Sequence, residues 1–120
     1  MFVAMNRFLV NPGQEEAFEA LWSDRETYLG DVPGFVRFAL LRGDERSTYL
    51  SHSTWESREA FDAWTRSEAF TAGHRQGSLQ GMLAAHPEVS LYEALFAQER
   101  GEERTTVPGA GSPAAAENEA

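Results

Sequence analysis

The stretch FVAMNRFLV, Phe2 to Val10, decides the fold. Phe2, Ala4, Asn6, Phe8 and Val10 fall on one side, and Val3, Met5, Arg7 and Leu9 on the other, which is the period-two pattern of a β-strand. Both sides are mostly apolar, so the strand is expected to be covered twice, by helices on one face and by a second subunit on the other. Asn6 interrupts the inward side. A buried amide needs partners for its donor and its acceptor. Those partners are either neighbouring backbone at a bulge or a ligand that the chain does not itself supply.

Outward from that strand, Asn11-Pro12-Gly13 marks a turn and a helix start, with Glu15 and Glu16 where the helix dipole favours acids. The helix is expected to run to about Leu29. Phe18, Leu21, Trp22, Tyr28 and Leu29 share one face, and Arg25 falls on it one heptad after Phe18. Gly30 suits a C-cap, and Val32-Pro33-Gly34 turns the chain into a second strand, FVRFALLRG. Gly43 to Arg46 reads as a hairpin loop into a third strand, TYLSHSTW. Ser57 can cap a helix carrying Ala60, Phe61 and Trp64 on one face. Ser67 or Thr65 can cap the next one, where Phe70 and His74 stand one turn apart. Gln76 to Pro87 reads as a loose third helical segment or lid, and VSLYEALFA as a fourth strand.

The order β-α-β-β-α-β implies an α+β, ferredoxin-like split βαβ domain, an antiparallel sheet with its helices on one face. The bare face calls for cover, and face-to-face dimerisation of two sheets supplies it. Residues 1–100 form this domain. From Gly101 the chain is Gly, Pro, Ala, Glu, Ser and Thr with almost nothing to bury, so 101–120 is expected to be a disordered acidic tail.

Composition narrows the function. The net charge is −9 over 120 residues, every basic residue is arginine, and the tail as well as the domain is acidic. That balance argues against a nucleic-acid or anionic-membrane surface. Without cysteine there is no disulfide, no thiolate nucleophile and no thiolate metal ligand. The apolar start is broken by Asn6 and Arg7, so it reads as neither a signal peptide nor a membrane span, and a cytoplasmic location is expected. No phosphate loop, zinc helix, nucleophile elbow or dinucleotide fingerprint occurs.

Four side chains could carry chemistry. His74 ends a helix with an aromatic residue one turn before it. It is either an imidazole favoured by the helix dipole or a metal ligand with an open opposite side. Trp64 is either ordinary core or a flat ring pressed against a flat cofactor. Arg25 either snorkels along the core or offers a bidentate donor to a carboxylate entering between helix and sheet. Asn6 is either a bulge residue or a preorganised amide for an oxygen ligand. His52, mid-strand, and His86, before Pro87 in a loop, read as structural or exposed.

The segments MNRFLVNPGQEEAFE (5–19), VPGFVRFALLRG (32–43), HSTWESREAFDAWTRSEAF (52–70) and AGHR (72–75) resemble the IsdG-type haem-degrading monooxygenases of the antibiotic-biosynthesis monooxygenase superfamily. The resemblance covers about residues 1–97. Its discriminating part is Asn in the first strand, Trp in the second helical region and His ten residues after that Trp. It implies His74 as the axial ligand of haem iron, Asn6 as the contact to the distal ligand and Trp64 as the group that helps to distort the porphyrin. Arg25 would lie near the haem propionates, and Phe70 would line the pocket. It further implies a homodimer whose sheets form an α+β barrel, haem as both substrate and cofactor, and an external electron donor through an unidentified reductase. Two other functions stay open: a cofactor-free monooxygenase acting on a quinol or polyketide-like aromatic, and a haem-binding protein without catalysis.

Overall fold

The computed structural model describes residues 1–74, 79, 81–101 and 105–106. The elements in chain order are β1 (Phe2–Leu9), α1 (Glu15–Asp24), β2 (Phe35–Arg42), β3 (Thr48–Trp55), α2 (Arg58–Thr65), α3 (Glu68–His74), β4 (Glu88–Glu93), β5 (Phe96–Ala97) and β6 (Thr105–Thr106). The first four strands form one antiparallel sheet in the order β2-β3-β1-β4, as a ferredoxin-like α+β fold requires. Register fixes the faces. Phe2, Ala4, Asn6 and Phe8 of β1 pair with Trp55, Ser53, Ser51 and Tyr49 of β3, and Ala4 and Asn6 also pair with Leu91 and Val89 of β4.

On that side the buried core is divided. Phe8, Val10, Phe18 and Tyr49 form one cluster, with Trp22 and Leu40 packed against it. Phe2, Leu29 and Trp55 form another, joined by Phe35, Phe38, Phe61 and Trp64. Asn6 lies on β1 between them, so the polar interruption in the strand coincides with the gap in the core. Val3, Met5, Arg7 and Leu9 occupy the opposite face with Leu50, Leu41 and Tyr92, the last two exposed. No helix among the described residues covers that face.

Helix α1 differs from the sequence expectation. It ends at Asp24 rather than Leu29, and Arg25 is its C-cap in extended backbone, with its N–H donating to the Trp22 carbonyl at 3.3 Å. The last turn has no basic residue and carries Asp24, which opposes the dipole. Tyr28 then adopts φ +58°, and Leu29 turns inward to the second cluster instead of extending a helical face. Gly30 is therefore not the cap. Helix α2 has the expected Ser57 cap, whose Oγ accepts from the Ala60 N–H at 3.1 Å. For α3 the cap is Ser67, which accepts from Phe70 N–H at 3.2 Å, while the Thr65 hydroxyl is turned to the Asp62 carbonyl.

Gly34 explains the Pro-Gly-Phe turn. Its φ is +78°, and a Cβ there would run into the Ala60 Cβ of α2, so only glycine lets the turn lie against that helix. The described part of the expected segment Gln76 to Pro87 is not helical. Leu83 bridges to Val10, and Asn11 donates from its backbone to the Met82 carbonyl and from Nδ2 to the Gly81 carbonyl. Residues 75–78 and 80 lie outside the described ones. The fourth strand also stops earlier than expected, at Glu93. Phe96–Ala97 instead pair with Thr105–Thr106 beyond the expected boundary at 100, and 102–104 and 107–120 lie outside the described residues.

The entry to α1 is held by charge. The Glu15 carboxylate accepts from the Ser47 hydroxyl at 2.6 Å and from the Gly13 N–H at 2.8 Å, with Arg46 at 3.4 Å. The Ser47 bond first, then these backbone donors, hold its pKa at about 2, below the ordinary 4.5. A folded-state value below the unfolded one means that ionised Glu15 contributes stability above about pH 4.5, lost as pH falls towards about 2. Glu15→Gln should flatten that acid limb, read from denaturation midpoints between neutral and acid pH. An unaltered limb would contradict the assignment.

Candidate active site

The gap in the core is a cavity of about 470 Å³, within the range of about 300–1,000 Å³ usual for small-molecule sites. Sheet, α1 and the α2–α3 pair each contribute walls. From β1 come Ala4, Asn6 and Phe8, from β2 Phe38, from the end of α1 Trp22 and Arg25, and from α2 and α3 Phe61, Trp64, Phe70 and His74. All five residues singled out in the sequence, Asn6, Arg25, Trp64, Phe70 and His74, line this one cavity. His52 does not, because it pairs with Met5 on the opposite face, and His86 is exposed in the loop before β4.

The walls are mostly apolar, with six Phe and Trp rings, yet polar atoms among them lack partners among the described residues. Asn6 Oδ1, Trp22 Nε1 and Trp64 Nε1 are buried with no hydrogen bond among the described residues. An unpaired buried polar group costs about 1–3 kcal/mol. Three in one cavity are explained if a ligand provides their partners. Rotation of the Asn6 amide exchanges Oδ1 and Nδ2, so it can offer a bound group either an acceptor or a donor.

The His74 ring is oriented by the backbone of its own helix. Its Nδ1 lies 2.8 Å from the Phe70 carbonyl oxygen. A carbonyl oxygen only accepts, so Nδ1 carries the proton, and the neutral ring then has its lone pair on Nε2. The ring also packs on Phe70, centroids 4.1 Å apart, and Trp64 stands 6.4 Å away. His74 is exposed as well as lining the cavity, which puts it at the mouth. The preceding Gly73 matters here: a Cβ on it would sit 3.3 Å from the Thr27 carbonyl oxygen, so glycine lets α3 close against the segment after α1. Trp64 is itself fixed between Trp55 at 5.1 Å and Phe70, edge-on, at 4.8 Å.

At the other wall, the Arg25 guanidinium lies over the Trp22 ring, 4.8 Å from its centroid. Burial pushes its pKa below the ordinary value, the sign of a cation partly removed from water. Arg25 reaches the cavity because α1 stops before it, not through a helical face shared with Phe18. Trp22 was missed in the sequence as anything but core. The available signal was its indole N–H three residues before an arginine on a helix that faces a polar strand position.

The arrangement offers an imidazole, an adaptable amide, two indole donors and a cation around an apolar void. The family model described as antibiotic biosynthesis monooxygenase matches residues 1–76. A mycobilin-producing haem oxygenase of Mycobacterium tuberculosis is 38% identical over 78 residues, which cover 61% of this chain and 72% of the relative. The haem degrader MhuD from Mycobacterium tuberculosis, solved with two haems in its active site, superposes with a TM-score of 0.69. It is 26% identical, and the match covers 82% of this chain and all (100%) of that one. SnoaB, a cofactor-independent oxygenase of Streptomyces nogalater, is 25% identical at a TM-score of 0.60, with 84% and 97% covered. No helix among the described residues is long and apolar enough to cross a membrane.

Proposed function

The chain belongs to the antibiotic biosynthesis monooxygenase family, and on that footing we propose that it is a haem-degrading monooxygenase. The observation that carries the reading is the convergence of His74, Asn6 and Trp64 on one aromatic-walled cavity, two of them with buried unpartnered polar atoms. Likeness to the mycobilin-producing enzyme and to haem-loaded MhuD supports it. Bound haem would supply a redox-active iron for dioxygen and would itself be the substrate opened, with electrons from an external donor through a reductase. His74 Nε2 would hold the haem iron, its orientation set by the Phe70 carbonyl. The Asn6 amide would orient the oxygen side, Trp64 would pack against the macrocycle, Phe70 would complete the wall and Arg25 would receive a propionate.

The same reading takes the enzyme as a cytoplasmic homodimer. The helix-free sheet face carries Val3, Met5, Leu9, Leu41, Leu50 and Tyr92, apolar side chains that a second sheet would cover. A second function, cofactor-independent oxygenation of a quinol or polyketide-like aromatic, draws support from the likeness to SnoaB and from the Phe-rich walls. Simple haem binding is the third.

Hemin titration followed by turnover separates them. The expected result is a His-ligated Soret band that decays when reductant and air are supplied, with iron released. A Soret band stable under turnover leaves only binding. No Soret change, together with oxygen uptake on a metal-free quinol, overturns the haem reading in favour of the second function.

A further inference from the structure

We propose that Trp22 is a specificity-determining residue whose indole N–H, together with the Arg25 guanidinium above its ring, receives a free carboxylate of the tetrapyrrole. The inference rests on the haem reading above and deepens it. Trp22 Nε1 is buried, lacks a partner and belongs to a residue on the cavity wall. Trp22 also borders a second depression, beside Glu19 and Arg42. The Glu19 carboxylate there is already taken by the Tyr49 hydroxyl at 2.6 Å and by Arg42 Nε at 3.2 Å, so it does not answer the indole.

Donor and acceptor chemistry places the carboxylate where an indole N–H and a cation stand together. A carboxylate only accepts, and therefore seeks N–H groups. His74 has Nδ1 engaged by the Phe70 carbonyl, and the haem reading gives its Nε2 to iron. Trp64, the other unpartnered indole, stands beside His74, at the wall that the reading gives to iron and macrocycle. Trp22 and Arg25 pair an indole N–H with a cation on another wall of the cavity, and they form a unit. The Arg25 N–H donates to the Trp22 carbonyl at 3.3 Å, and its guanidinium folds back over the indole at 4.8 Å. Stacking on Phe38, centroids 5.9 Å apart, and contact with Phe8 at 5.8 Å hold the indole in turn. A donor beside a partly dehydrated cation suits an anion better than its neutral ester.

The test compares hemin with hemin dimethyl ester, in which both carboxylates are blocked, by Soret titration of the wild type and of Trp22→Phe. Phenylalanine keeps an aromatic ring under the guanidinium and against Phe38, and removes the N–H. The wild type is expected to bind hemin more tightly than the diester, and Trp22→Phe to lose roughly tenfold on hemin while its diester affinity stays within about twofold. A second measurement needs no variant. The Trp22 indole N–H resonance of the ¹⁵N-labelled wild type should move on adding gallium protoporphyrin and stay in place with its dimethyl ester. Equal losses on both ligands, or no loss with an unmoved resonance, overturn the inference while leaving the haem reading intact. A wild type that shifts neither Soret band overturns both.

Discussion

His74→Ala should abolish the His-ligated Soret band and weaken hemin binding by roughly 100-fold or more, because even a group that merely orients a metal ligand is worth about 10–100-fold. Degradation under reductant and air should vanish with it. The fold should be little affected: His74 is exposed, and substitutions at such positions usually change stability by less than about 0.5 kcal/mol. The Phe70 carbonyl that fixes the tautomer belongs to the backbone, so it survives this substitution and most changes at Phe70 itself. Unchanged spectra in the variant would remove His74 as the ligand. The other histidines offer no ready replacement, since His52 sits on the far face of the sheet and His86 is exposed outside the cavity.

Asn6→Leu, nearly the same shape, should separate stability from turnover. The amide is expected to act as a preorganised dipole on the oxygen side of the site, and removing such a group costs about 10²–10³-fold in rate. Hemin affinity should stay within a few-fold, because His74 is untouched. In the ligand-free protein, however, Asn6 Oδ1 is a buried acceptor without a partner, and its replacement by an apolar group relieves a penalty of about 1–3 kcal/mol. The urea midpoint should therefore rise as activity falls. A lower midpoint with turnover intact would mean that Asn6 serves the sheet rather than the site.

The opposing directions expected for Asn6 mark where the chain departs from the best solution for folding alone. Filling the gap between its two core clusters with apolar side chains would join Phe8, Phe18 and Tyr49 to Phe2, Leu29 and Trp55 across β1. The chain instead keeps an amide there and leaves a cavity above it. Glycine at position 73 and the early end of α1 serve the same opening, one by bringing α3 close to Thr27, the other by freeing Arg25 to turn inwards.

The alternation in FVAMNRFLV, the hairpin between the second and third strands and the Ser57 cap were legible because each is a local signal with a fixed period or spacing. Strand order follows from connection rules once the elements are recognised. The family resemblance likewise lay in the sequence, in Asn6, Trp64 and His74, and the match to the family model bears it out. The end of α1 was not legible: apolar spacing continues through Tyr28 and Leu29, while an unfavourable last turn and the packing of Leu29 into a distant cluster decide where the helix stops. Nor was the shape of the segment before β4, because Leu83 and Met82 meet Val10 and Asn11 across some seventy residues of chain.

By itself, then, the sequence determined the element order, the sheet's inward and outward faces and the identity of the polar residues that interrupt its apolar pattern, all of which depend on neighbours within a few positions. Only the tertiary structure decided that Asn6, Arg25, Trp64, Phe70 and His74 border the same void, that Trp22 joins them with an unpartnered N–H, and that His74 carries its proton on Nδ1. Convergence and missing partners are relations between distant segments, and no local pattern encodes the distance between them.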